Sequence, residues 1–247
     1  KIGSGKDDGF TKSTAFGHIQ ILFDMADLDE AQRMILLNMS LLPYTGINTK
    51  QMAEWCEWQD DDAVYQLIRK GWVKENGESV IALHPLIAEV AFEHLKDSPQ
   101  NCTVFITNLS EQIRVKEKAP SDLFAYGIVS VISSVSERLY RSRKSTNKIA
   151  DFLGQVPQVL EGYGFLEDRI KYREKALDLY KKMYQPPHPK LAIGMNNLAV
   201  LYGSKGDFTM ALSFHLQALE MRKELYPSGH TDIAVSYINI AGVYQRQ

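Results

Sequence analysis

Shifted along itself by 42 residues, the sequence places His188 on His230, Ala192 on Ala234, Asn197 on Asn239, Ala199 on Ala241 and Tyr202 on Tyr244. Those are five identities in seventeen positions, where average residue frequencies give about one by chance. The same shift aligns Tyr172 with Phe214, Ala176 with Ala218, Leu177 with Leu219, Lys181 with Lys223 and Tyr184 with Tyr226. Two blocks therefore recur at one period. This constrains the fold strongly, because a unit this short cannot bury its own apolar face and must stack on its copies.

Each block reads as a helix. From Leu191 to Tyr202, Leu191, Met195, Leu198 and Tyr202 fall at the spacing of one helix face. Ala192 and Ala199 are small enough for a neighbouring helix to approach. Gly206-Asp207 supplies a turn. A second helix is expected from about Phe208 to Leu225, with Ala211 and Ala218 on its facing side, and Pro227, Ser228 and Gly229 end it. The unit is an antiparallel helical hairpin.

Leu198-Ala199, Tyr202, Ala211 and Ala218 resemble the signature of the tetratricopeptide repeat. The 42-residue period and the His188-Pro189 pair resemble the kinesin-light-chain variety of that repeat, although His215 stands where an aromatic is usual and Thr231 replaces the proline in the second copy. Upstream, residues 101–118, 121–142 and 147–163 keep helical periodicity, for instance at Phe124, Ile128, Val131, Val135 and Leu139, without the signature residues. They are expected to be degenerate hairpins. The basic run Arg138, Arg141, Arg143, Lys144 and Lys148 reads as an exposed loop between helices, not a nucleic-acid site, since no aromatic or glycine-rich pattern accompanies it.

The N-terminal part follows different rules. A helix is expected from near Asp27 through Leu42, ended by Pro43-Tyr44-Thr45-Gly46. A second includes Met52, Trp55 and Cys56, and a third runs from about Asp62 to Lys70. Strands are expected at Trp72–Lys74 and Ser79–Leu83 around the Asn76-Gly77 pair, a strong hairpin signal. Three helices and a β-hairpin make a winged helix. Such domains often carry a DNA-binding helix. Here that helix opens with Asp60-Asp61-Asp62, and Asp24–Asp97 holds fourteen acidic against six basic residues, a net charge of −8 that repels phosphate. From Ser98 onward the balance is nineteen basic to fourteen acidic, net +5. Two units with different surfaces are implied.

The stretch from Leu67 through Gly71-Trp72-Val73 to Leu83-His84-Pro85-Leu86-Ile87 resembles the winged helix of the signal-transducing ATPases with numerous domains. In that class a nucleotide-binding core precedes the winged helix and repeats such as tetratricopeptides follow it. The resemblance implies that His84 matches the histidine of a Met-His-Asp triplet that contacts the diphosphate of ADP, with Leu83 and Pro85 in place of its flanking residues. It thus implies ADP or ATP for an intact protein and no cofactor for this chain. Read without the resemblance, His84-Pro85 simply starts a helix.

Enzymatic chemistry is not legible. Lys1 to Lys6 suggests a phosphate loop, yet Asp7 follows the lysine and no strand precedes the glycine, so a boundary loop is expected. Ile21-Leu22-Phe23-Asp24 sits in a helical context. Six histidines and two cysteines are scattered, with none paired at metal-ligand spacing. Trp55 and Trp58 suit core or interdomain packing better than a ligand cage. Cys56 and Cys102 fit a reduced, cytoplasmic setting, and no apolar run reaches a membrane span. The chain starts at Lys1 and stops after a first helix of a hairpin, as a piece of a longer protein would.

The sequence therefore predicts a mainly α protein, a small winged helix followed by an α-solenoid of tetratricopeptide-like hairpins. The divisions are residues 1–26, a linker and helix from a preceding domain; 27–98, the winged helix; 99–164, degenerate hairpins; and 165–247, repeats with the last truncated. No catalytic residue or metal ligand is predicted. The family resemblance implies a protein or peptide ligand held by first-helix asparagines Asn196, Asn197 and Asn239, and an upstream nucleotide-binding domain as neighbour. An asparagine amide both donates and accepts, so it can pair with a peptide backbone; the plain alternative is that Asn197 and Asn239 bond between repeats. The expected role is the sensor portion of a multidomain signalling ATPase, with a DNA-binding transcription regulator as the rival.

Overall fold

The computed structural model describes residues 9–58, 61–77, 79–95, 99–116, 122–142, 146–161 and 164–247. The Lys1–Lys6 stretch, Asp60, Glu78 of the hairpin turn, and Arg143 and Lys144 of the basic run lie outside them. The chain forms two compact units, Lys1–Asn108 with Arg141–Arg143, and Leu109–Tyr140 with Lys144–Gln247.

The first unit contains α1 (Gly9–Met25), α2 (Glu30–Met39), β1 (Ile47–Asn48), α3 (Thr49–Cys56), α4 (Asp62–Arg69), β2 (Val73–Asn76), β3 (Val80–Leu83) and α5 (Pro85–Leu95). Asp29 sets the start of α2: its carboxylate accepts from the Gln32 N–H at 2.8 Å, satisfying a donor that the helix cannot. Helix α2 is accordingly shorter at both ends than the periodicity of Asp27–Leu42 suggests. Asn48 caps α3 in the same way, accepting from Lys50 N–H at 3.0 Å. Trp55, Met52, Leu36, Val64 and Leu67 are fully buried between these helices, and Ile81 closes the core from the sheet.

The sheet is antiparallel in the order β1-β3-β2, with Val73 opposite Leu83 and Ile47 opposite Ile81. The hairpin is the predicted one. The third strand, β1, is a finding of the structure. Two residues carry no periodicity, and Gly46 is what brings them in: at φ +90° a Cβ there would sit 2.7 Å from the Ile81 carbonyl oxygen. Helix α1 rests on α5, where Phe23 stacks on His94 with ring centroids 4.7 Å apart. Helix-strand-helix-helix-hairpin is the winged-helix arrangement.

A short 3-10 turn, Pro99–Cys102, leads into α6 (Thr103–Lys116), within which the division between units falls. The second unit continues with α7 (Asp122–Tyr140), α8 (Asn147–Val159), α9 (Leu166–Met183), α10 (Pro189–Lys205), α11 (Phe208–Leu225) and α12 (Thr231–Tyr244). Adding 42 to the bounds of α9 gives those of α11, and α8 and α10 start 42 residues apart, as do α10 and α12. Helices α8 and α9 are thus a full copy of the unit despite lacking its signature. The small residues serve as the pattern implied: Ala192, Ala199, Ala211 and Ala218 are buried where helices meet.

The joint between units also repeats. Tyr184 stacks on His188 at 3.7 Å, and Tyr226 on His230 at 4.2 Å. Each histidine then caps the next helix, Nδ1 accepting from the N–H of Lys190 at 3.2 Å or Asp232 at 3.1 Å. The tyrosine and histidine of each copy, noticed separately in the sequence, form one device that sets how a hairpin hands over to the next.

Candidate functional site

Helices α8 and α10 run side by side over α9, leaving a groove of about 240 Å³ between them. Its wall toward α8 is Asp151, Gly154 and Gln155, its floor is Arg173, Ala176 and Tyr180, and its other wall includes Lys190 and Asn197. One end is closed by ion pairing. Lys190 Nζ donates to both Asp151 carboxylate oxygens, at 2.8 and 2.9 Å, and the Tyr180 hydroxyl donates to Oδ1 at 2.5 Å. Burial, then the Asp151 charge and hydrogen bond, push the Tyr180 phenol far above its usual range, so it stays a donor.

The rest of the groove is unsatisfied. Arg173 forms no hydrogen bond or ion pair among the described residues, and burial, with the Arg169 charge beside it, lowers its pKa without removing its charge. Its neighbour Arg169 is already paired with Glu161 at 3.0 Å. The Oε1 atom of Gln155 is buried with no donor. The half-buried Asn197 amide makes no hydrogen bond among the described residues. With Asp151 held by Lys190 and Glu161 by Arg169, Arg173 is left without an ion-pair partner of its own among the described residues.

One period later, the groove between α10 and α12 over α11 has the opposite character. Asn239 Nδ2 donates across it to Asn196 Oδ1 at 3.0 Å. Arg222, the counterpart of Tyr180, is buried and donates to the Asp232 carbonyl at 3.0 Å and to the buried Ser236 Oγ at 2.6 Å. His215, the counterpart of Arg173, is buried with Nδ1 unpaired, and burial followed by the charges of Arg222 and Arg246 lowers its pKa. This ring is neutral at physiological pH.

The predicted asparagines therefore separate. Asn196 and Asn239 bond to each other, whereas Asn197 lines the first groove with its amide free. The reason is one residue. The position equivalent to Asn196 in the preceding copy is Gly154, which offers Asn197 no side chain. Arg173 and Gln155 were not singled out in the sequence; the signal available was the misalignment of Arg173 with His215 under the 42-residue shift.

His84 lies in the first unit, away from these residues in sequence. It is exposed, and its Nδ1 accepts from Leu86 N–H at 3.2 Å, capping α5 as His188 caps α10. A neutral ring held this way carries its proton on Nε2. The first unit also has a largely apolar cavity of about 340 Å³ beside Met34, Asn38, Cys56 and Trp58. Burial pushes the Cys56 thiol up to about 12, so it is no nucleophile. Trp55 is core, edge-on to Phe105 at 5.7 Å. Among the described residues no cluster of three or more His, Cys, Asp or Glu is arranged to hold a metal, and no helix is long and apolar enough to cross a membrane.

The tetratricopeptide repeat family matches residues 164–224, the span of α9 through most of α11. Two solved structures are similar. BtubC (BKLC) from P. vanneervenii shares 18% identity, covering 64% of this chain and 61% of that one, with a TM-score of 0.50. A Signal Transduction ATPase with Numerous Domains protein with a tetratricopeptide repeat sensor, PH0952 from Pyrococcus horikoshii, shares 13% identity over 98% of this chain and 50% of that one, with a TM-score of 0.29. The chain spans less than two thirds of the length of either. No curated protein matches it by sequence.

Proposed function

We propose that this chain is the sensor and coupling portion of a multidomain signalling NTPase, its repeats holding an extended peptide segment of a protein partner. Tetratricopeptide repeats are protein-interaction modules, and the observation that carries the reading is the α8–α10 groove, where the buried Gln155 Oε1 without a donor, the Arg173 guanidinium and the Asn197 amide line one slot. A buried polar group without a partner costs about 1 to 3 kcal/mol, so the Gln155 acceptor beside an unpaired guanidinium favours a ligand that completes them. In this reading residues 27–98 form the winged helix, 99–164 the degenerate hairpins and 165–247 the repeats, with Asn197 the main peptide contact and Asn196 and Asn239 reaching a ligand only on giving up their mutual bond.

The winged helix supplies the coupling. The run ending in Leu83-His84-Pro85 resembles that of the signalling ATPases, and His84 has an Nε2–H free for a phosphate oxygen while Nδ1 is held by α5. One donor does not make a nucleotide site. His84 adds to a site built by another domain, where ADP or ATP supplies the phosphates.

The test is the double variant Asn197→Ala plus Asn239→Ala, screened beside the unaltered chain against displayed random peptides. Capture is expected to weaken while stability falls by no more than about 1 kcal/mol, that of the one Asn239–Asn196 bond; loss of folding without a selective binding defect overturns the reading. Salt-dependent retardation of duplex DNA would instead support the DNA-binding rival, which the carboxylates of Asp61 and Asp62 at the start of α4 oppose.

A further inference from the structure

From the α8–α10 groove we infer that the bound segment presents an acidic side chain, Asp or Glu, whose carboxylate pairs with Arg173. The inference rests on the peptide-binding reading above and names the chemistry that the groove selects. Three features carry it. Arg173 is a half-buried guanidinium with no ion pair or hydrogen bond among the described residues, and the carboxylates near it are already engaged, Asp151 by Lys190 and Glu161 by Arg169. A guanidinium in this setting favours a planar carboxylate that two of its N–H groups can grip together. Beside it, the buried Gln155 Oε1 lacks a donor among the described residues, and the half-buried Asn197 amide lines the same groove. A peptide main chain supplies N–H and C=O in alternation, which a free small carboxylate does not.

The third feature is how the room arises. In the α10–α12 groove the Asn196 side chain fills the corresponding space and satisfies Asn239. In the α8–α10 groove that position is Gly154. A Cβ built there lies 3.7 Å from the Tyr180 hydroxyl and 3.8 Å from Arg173 Nη1, ordinary contact distances. A side chain therefore fits without strain, and glycine is not required by the backbone packing. Its consequence is open space directly over the guanidinium. One copy of the repeat is closed by its own asparagine pair, and the adjacent copy is left open and charged.

The experiment measures binding of labelled nonapeptides to the 247-residue chain by fluorescence anisotropy, using a library whose central residue is Asp, Glu, Asn, Gln, Ala or Lys in otherwise random sequence. Asp and Glu peptides should bind about tenfold more tightly than their Asn and Gln isosteres, the size expected of one charge-assisted pair. Arg173→Gln should bring that ratio close to one at unchanged melting temperature, and Arg173→Lys should keep part of it. Gly154→Asn, a better helix former than glycine, should fold and bind no peptide in this groove. Peptides bound without an acidic preference, or a preference that survives Arg173→Gln, overturn the inference and leave the groove reading standing. Binding of no peptide by the unaltered chain overturns both. Displacement of the peptides by acetate at equal concentration assigns the site to a small free carboxylate and overturns the peptide assignment.

Discussion

The grooves over α9 and over α11 descend from the same 42-residue unit and differ at the positions that face the slot. Where the first has Gly154, Arg173, Tyr180 and Gly194, the second has Asn196, His215, Arg222 and Ser236. The apolar and small residues that stack the helices are retained, with Ala150, Ala192, Ala176 and Ala218 all buried. A solenoid's stability depends on its stacking surfaces, so those stay alike, while a slot residue is free to pair internally or to wait for a ligand. The second groove pairs internally. The difference teaches that binding chemistry in a repeat protein is read where copies diverge, not where they agree.

The contrast can be broken from either side. The largest effect is expected from Arg222→Ala, which removes two charge-assisted hydrogen bonds, to Ser236 Oγ and to the Asp232 carbonyl, and costs about 2 to 3 kcal/mol in urea unfolding. The equivalent cut in the first groove, Asp151→Asn, should cost under about 1 kcal/mol because an ion pair this exposed is screened by water. Equal costs would mean that the first groove is as much a structural joint as the second. Next in size, Asn196→Ala removes one neutral hydrogen bond, about 1 kcal/mol, and frees Asn239; it should give the second groove weak, charge-independent peptide binding, measured by anisotropy.

The smallest effect concerns His215. Its folded pKa lies below the ordinary 6.5, so the unfolded chain takes up the proton first. The stability from keeping the ring neutral is full above pH 6.5 and is lost as pH falls through the folded pKa. His215→Phe should flatten the melting temperature of the protein over that acid range and leave it unchanged at pH 8. A slope that persists in the variant would place the titrating group elsewhere.

Much of this was legible in residues. The 42-residue shift located α10, α11 and α12, and the Asn76-Gly77 pair located the hairpin. Helix α9 is legible as a copy of α11, but α8 reads only as degenerate, because Gly154, Pro157 and Leu160 occupy the places of Asn196, Ala199 and Tyr202 and erase the signature while the helix starts keep the period. Strand β1 escaped because its cause lies in Gly46 and in a carbonyl 35 residues away, not in its own two residues. Three asparagines looked equivalent. Whether an amide is paired depends on what the adjacent helix presents.

Local spacing by itself determined that short helices alternate and stack here, since the apolar and small residues recur at helical intervals and no single hairpin can bury them. It also determined the acidic winged helix ahead of a basic repeat region. Only the tertiary structure decided that Asn196 closes one slot, that Gly154 opens the other, and that Arg173 is left without an ion-pair partner among the described residues. Those facts depend on side chains from three helices meeting across tens of residues of sequence, and pairing of that kind is a property of distances in space.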